Sequence, residues 1–143
     1  MRILAVDLGE RRIGLALSDE MEILASPLEV YQHKSDEASL QYLCELIKRR
    51  GVKEVVIGLP LDMKGHRGPK ADQAQAFADE LQKRVAIPVV LWDERLTTMQ
   101  AQRSLLEADV SRAGRKETVD MIAAAVLLQS YLDRRRYQKD NPE

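Results

Sequence analysis

The stretch Ile3-Leu-Ala-Val-Asp7-Leu-Gly9-Glu-Arg-Arg-Ile13-Gly14-Leu-Ala-Leu17-Ser-Asp19 decides the fold. Four consecutive aliphatic residues, Ile3 to Val6, read as a strand buried on both faces. A carboxylate, Asp7, then follows where another aliphatic residue would have been neutral. An unpaired buried carboxylate costs several kcal/mol, so Asp7 demands a cation or a set of donors beside it. Gly9 and Gly14 bracket a turn, and Ile13 to Leu17 restart the apolar run. The two strands are near enough in sequence for an antiparallel hairpin. The plan is a buried sheet with one central acid.

Working outward, Ile23 to Val30 reads as a third strand, and Pro27 places it at a sheet edge because proline cannot donate to a ladder. Ser35 caps a helix whose first turn holds Asp36 and Glu37. Leu40, Leu43, Cys44 and Ile47 share one face of that helix, which makes Cys44 a core residue, and Gly51 ends it. Glu54 to Pro60 is a fourth strand, and Leu61 to Pro69 a charged loop. A second helix carries Ala74, Phe77, Ala78, Leu81 and Val85 on one face. Ile87 to Trp92 is a fifth strand running into Asp93-Glu94-Arg95. Thr97 or Thr98 caps a short helix through Leu106, and Val110 to Lys116 is a basic connector containing Gly114. A last helix spans about Glu117 to Tyr137, with Val119, Ile122, Ala123, Val126 and Ser130 on one stripe.

Three strands joined by tight turns, then two reached through helical crossovers, predict an α/β fold. Its five-stranded mixed sheet has the order 3-2-1-4-5, with strand 2 antiparallel to the rest and helices on both faces. The 143 residues suit one domain, expected over 1–138 with 139–143 as a frayed tail. A net charge of −1 excludes wholesale attraction to nucleic acid, so any such binding must use local basic patches. The single cysteine excludes an internal disulfide. Neither a long apolar span nor a signal-peptide pattern is present, so the expected location is cytoplasmic with no membrane partner.

Three acids stand where structure alone does not ask for them: Asp7, one of the Asp93-Glu94 pair, and Asp120 in the first turn of the last helix. Strand ends of an open α/β sheet gather on one edge, where such folds place their sites. Hard cations such as Mg²⁺ take oxygen ligands of this kind, together with substrate phosphates. The other acid of the Asp93-Glu94 pair is expected to partner Arg95. Three clusters of cations lie around these acids, and two of them flank the edge. Lys64, His66, Arg67 and Lys70 share the charged loop; Arg112, Arg115 and Lys116 precede the last helix; Arg11 and Arg12 sit on the first hairpin. A phosphate backbone lying across the edge would need such groups, and Arg67, Lys70, Arg112, Arg115 and Lys116 are the candidate contacts. Aromatic residues are only 4%, so base stacking contributes little. His66 could protonate a leaving oxygen.

The Asp7-Leu-Gly9 and Ile13-Gly14-Leu-Ala-Leu17-Ser18-Asp19 segments resemble the YqgF/RuvX family. So do Ile57-Gly58-Leu59-Pro60, Trp92-Asp93-Glu94-Arg95-Leu96-Thr97-Thr98, and Val119-Asp120 followed by Ala123-Ala124. The resemblance spans nearly the whole chain and implies a ribonuclease H-like fold. It implies a metal-dependent nuclease that hydrolyses phosphodiester bonds to trim the 5′ end of the 16S ribosomal RNA precursor. Holliday junction resolution is the alternative activity, and a non-catalytic RNA-binding assembly module is the alternative class. The implied catalytic and metal-holding set is Asp7, Glu94 and Asp120 with Mg²⁺ or Mn²⁺. Glu94 is preferred to Asp93 for its longer reach. Two departures stand out: the fourth strand ends in Gly58-Leu59-Pro60 without an acid, and Met121 follows Asp120 where a cation is common. The partner is nucleic acid, precursor rRNA before branched DNA, and the chain is expected as a monomer or weak homodimer.

Overall fold

Strands β1 (Arg2–Leu8), β2 (Arg12–Ser18), β3 (Ala25–Gln32), β4 (Val52–Leu59) and β5 (Val89–Asp93) form one sheet in the order β3-β2-β1-β4-β5. The structure is a computed structural model that describes residues 1–96 and 116–140. β1 pairs antiparallel with β2 and parallel with β4; β2 pairs antiparallel with β3, and β4 parallel with β5. Only β2 therefore runs against the rest, as the two tight connections and two helical crossovers require. Pro27 lies in edge strand β3 opposite Ala16, where the ladder shifts register. The edge tolerates the missing donor.

Period-2 alternation divides the core. Leu4 and Val6 of β1, with Leu15, Val55 and Ile57, face helices α1 (Asp36–Arg50) and α2 (Pro69–Arg84). Ile3 and Ala5, with Ala16 and Val56, face helix α3 (Lys116–Asp140) on the opposite side. Covering both faces explains why β1 reads as a continuous apolar run.

Helix ends follow sequence chemistry. The Ser35 hydroxyl accepts the Ala38 N–H at the start of α1, a cap that contributes about 1 kcal/mol. Gly51 closes α1 in the left-handed region at φ 64°, and its N–H reaches the Ile47 carbonyl. Leu40, Leu43 and Ile47 are buried as expected, and Leu46 and Ser39 join them, while Cys44 packs at the core margin. On α2 the buried face is Ala71, Ala74, Phe77, Ala78 and Leu81; Val85 lies just past the helix.

Two expectations change. Gly14 does not border the turn but lies inside β2, opposite Asp7. On α3 the stripe is not the narrow one read from spacing: Ala123 is exposed, and Ala124 to Leu132 are buried without interruption. Such a helix is covered round most of its circumference, which hides helical periodicity. Lys139 and Asp140 continue α3. The predicted helix through Leu106, the Val110–Lys116 connector up to Arg115, and residues 141–143 lie outside the described residues.

Gly14 makes the close packing of α3 on β2 possible. A Cβ there would stand 2.8 Å from the Asp120 carbonyl carbon and nearer still to its oxygen. Backbone on both sides leaves no flexible atom to yield. Gly14→Ala is expected to destabilise the fold by about 1–3 kcal/mol, read as a lower denaturant midpoint at unchanged slope.

Candidate active site

Asp7 sits on the α3 face of the central strand, because it follows Ile3 and Ala5 at period two. Its neighbours in register are both glycines. Gly14 pairs with it directly on β2, and Gly58 lies one step beyond the Val6–Ile57 pair on β4. A Cβ on Gly14 would strike the Asp120 backbone, and one on Gly58 would stand 2.5 Å from a Glu94 carboxylate oxygen. The two missing side chains thus open the space on either side of Asp7 into which the other two acids come.

Glu94 is aimed there by the turn that ends β5. The Asp93 carboxylate accepts the Arg95 backbone N–H at 2.9 Å, a side-chain-closed turn of the kind aspartate favours. It also receives the Arg95 guanidinium through Nε at 3.1 Å and a terminal nitrogen at 2.7 Å. Arg95 holds the Asp93 carboxyl below its ordinary range by hydrogen bonding. Asp93 is therefore the acid that partners Arg95, and Glu94 is the one that turns inward. Arg95 in turn lies against Gly65, whose φ of 85° favours glycine.

Asp7 and Glu94 are hydrogen-bonded to each other. Burial, then the charges of Glu94 and Asp120, then the Glu94 hydrogen bond push the Asp7 carboxyl from 3.8 up to about 7. Burial is also the main cause that raises Glu94; the Asp7 hydrogen bond and the charge of Lys70 oppose it, and the charge of Asp93 adds to it. When the pair holds a single proton, Asp7 donates it to the Glu94 carboxylate.

Asp120, on α3, is near enough for its charge to act on Asp7, yet it is bound elsewhere. Its Oδ2 accepts the Arg12 Nε–H at 2.7 Å. With Met121 next in the helix, the cation beside Asp120 comes from β2 instead. Among the described residues, no three His, Cys, Asp or Glu side chains are gathered tightly enough to ligate one ion. The chemistry of the donors nonetheless fits a hard divalent cation: two oxygen-bearing groups in contact, held together by a proton that a cation would replace, and a third close by.

The basic candidates divide. Lys70, in the first turn of α2, is close enough for its charge to favour ionised Glu94. It lines a cleft of about 500 Å³ with Gly9, Glu10, Gly58, Pro60 and Gln73. Arg67 bonds Gln75 at 3.4 Å and pairs with Asp72 at 3.7 Å on the surface. The loop also contains an acid that organises it. The Asp62 carboxylate accepts the Lys64 and His66 N–H groups and stands 3.3 Å from His66 Nδ1, so His66 is turned toward Asp62. Arg112 and Arg115 lie outside the described residues, as does the side chain of Lys116.

The family model RuvX, described as Holliday junction resolvase, matches residues 1–134. The chain belongs to this family. Its relatives include proteins named as candidate pre-16S rRNA nucleases. The one from Syntrophomonas wolfei is 50% identical over 140 residues, covering 98% of this chain and 99% of its own length. The one from Symbiobacterium thermophilum is 50% identical over 135 residues, covering 94% of each. Among solved structures, Thermus thermophilus RuvC in complex with a Holliday junction superposes with a TM-score of 0.61 at 16% identity, over 95% of this chain and 96% of that one. The fowlpox virus resolvase bound to junction DNA gives 0.58 at 14% identity, over 94% and 98%. At such identities the likeness is one of fold: this RuvX-family chain has the ribonuclease H-like architecture.

Gly14, Gly58 and Arg12 were not singled out in the sequence as site residues. A glycine inside an apolar strand run is the available signal for a close approach from outside the sheet. Arg12 carries no comparable signal, since its partner is 108 residues away.

A raised carboxyl pKa has a definite stability consequence. Between about pH 4 and 7 the folded chain holds a proton that the unfolded chain has lost, so metal-free stability falls as pH rises through that window. Asp7→Asn removes the titration. The variant is expected to be more stable than the wild type by about 2–4 kcal/mol at pH 8, with the gap narrowing towards pH 5. Urea denaturation at the two pH values in chelator checks this.

Proposed function

We propose that this RuvX-family chain is a metal-dependent nuclease that hydrolyses phosphodiester bonds, and that its substrate is the 5′ end of the 16S rRNA precursor. The observation that carries the reading is the contact of Asp7 with Glu94 at the sheet edge, beside Asp120. In this reading these three residues are catalytic and hold Mg²⁺ or Mn²⁺, with Asp7 as the shared ligand because it lies between the other two. Such an ion, when bound, supplies an activated water and offsets charge on the leaving oxygen. Asp93 and Arg95 keep Glu94 pointed at Asp7. Lys70 and Arg67, with Arg112, Arg115 and Lys116, hold the nucleic-acid backbone against the edge. Names borne by relatives at about 50% identity favour precursor rRNA as substrate. The family description favours branched DNA as the comparison substrate. One domain over 1–138, a cytoplasmic location and a monomer or weak homodimer belong to the same reading; among the described residues no helix is long and apolar enough to cross a membrane.

The decisive experiment incubates purified protein with precursor RNA or a four-way DNA junction, in Mg²⁺, Mn²⁺ or chelator. Cleavage of the RNA, dependent on metal, is expected. Asp7→Asn should lower the rate by about 100-fold or more while remaining folded. Gly58→Ala should lower it by about tenfold and cost less than about 1 kcal/mol of stability, because the flexible Glu94 carboxylate can move aside but then misses Asp7. Full activity in rigorously purified Asp7→Asn would refute the mechanism, and absence of cleavage by the wild-type chain in either metal would leave the assembly-module reading.

Nucleic-acid binding gives a separate check. Replacing Arg67 and Lys70 together by Ala should weaken binding similarly across RNA sequences. The slope of log affinity against log salt should flatten by about 1 to 2, as expected for two lost phosphate contacts. An unchanged slope would remove the α2 entrance from the binding path.

A further inference from the structure

We infer that Arg12 is a positioning residue that governs cation uptake at the acidic edge. Its guanidinium holds Asp120 apart from the Asp7–Glu94 pair, and an incoming divalent cation must take Asp120 from it. The inference rests on the metal-dependent reading above and adds a competitor to it.

The geometry is that of two separate groupings. Asp7 and Glu94 are hydrogen-bonded to each other, while Asp120 Oδ2 is 2.7 Å from Arg12 Nε. No three acidic, His or Cys side chains among the described residues close around a common point. The backbone of Arg12 is fixed: its carbonyl accepts the Gly9 N–H at 3.0 Å, and it pairs with Gln32 across β3. Asp120 is fixed as well, since its backbone packs against Gly14. Only the two side chains are able to rearrange. They are 34% and 30% exposed, so solvent reaches the pair and opening it does not strand a buried charge. A guanidinium and a divalent cation compete for the same carboxylate oxygens. When the cation wins, the freed guanidinium stays at the edge with a fork of donors suited to a phosphate oxygen.

The test is a double-mutant cycle read by Mn²⁺ binding rather than by cleavage. Calorimetric titration of the whole chain with Mn²⁺ compares wild type, Arg12→Gln, Asp120→Asn and the double variant. If Arg12 competes through Asp120, Arg12→Gln tightens Mn²⁺ binding roughly five- to tenfold in the wild-type background and less than about twofold in Asp120→Asn. Arg12→Lys keeps a cation beside Asp120 and should stay within about twofold of wild type. Weaker or unchanged binding in Arg12→Gln would make Arg12 a purely structural support of Asp120 and overturn the inference. So would equal tightening in both backgrounds, which is a through-space charge effect, or tightening by Arg12→Lys as large as by Arg12→Gln. A wild-type chain that takes up no Mn²⁺ at millimolar concentration would overturn the metal-dependent reading and this inference with it. Mn²⁺ binding with an additive cycle would overturn this inference alone.

Discussion

A carboxylate on the covered face of the central strand is the constraint around which the rest is arranged. Asp7 occupies a position that period two assigns to the α3 side, next to Ile3 and Ala5. An acid there is tolerable only if room and partners are provided. Gly14 and Gly58, its neighbours across the sheet, provide the room. Through Gly14 the α3 backbone descends onto β2 and brings Asp120; through Gly58 the β5 turn brings Glu94. The same two absences of a side chain settle helix packing and site geometry together.

Neighbouring acids have unlike fates because of what surrounds each one. Asp93 is closed into a turn by the Arg95 N–H and paired with its guanidinium, which keeps it ionised and out of the centre. Glu94, one residue on, is half-buried against Asp7 and pushed toward the protonated form. Gly58 also accounts for the missing acid at the end of β4: the space a side chain would take there is filled by the Glu94 carboxylate.

The opposite end of the molecule shows what ordinary stabilisation looks like. Glu54 of β4 accepts from Tyr131 and from Arg135 at 2.9 Å, and Arg135 lies 5.4 Å over the Tyr131 ring. Gln129 ties α3 to the β2–β3 connection by bonding the Ala25 N–H and the Ile23 carbonyl. Glu22, Glu54 and Asp133 there each have a basic partner. At the acidic edge, Asp7 and Glu94 have chiefly each other.

Much of this was written in local pattern. Continuous apolar runs, tight connections, Pro27 and the caps at Ser35 and Gly51 act over a few residues, so the sequence by itself determined the five strands, their order and the edge strand. It also determined which acids were candidates, because a carboxylate inside or at the end of an apolar run is visible without coordinates. Tertiary structure alone decided two things: that Arg12 claims Asp120, and that Gly14 and Gly58 are openings rather than punctuation. The physical reason is shared. Each depends on a contact between segments distant in the chain, and neither residue type nor periodicity encodes what arrives from the far side of a sheet.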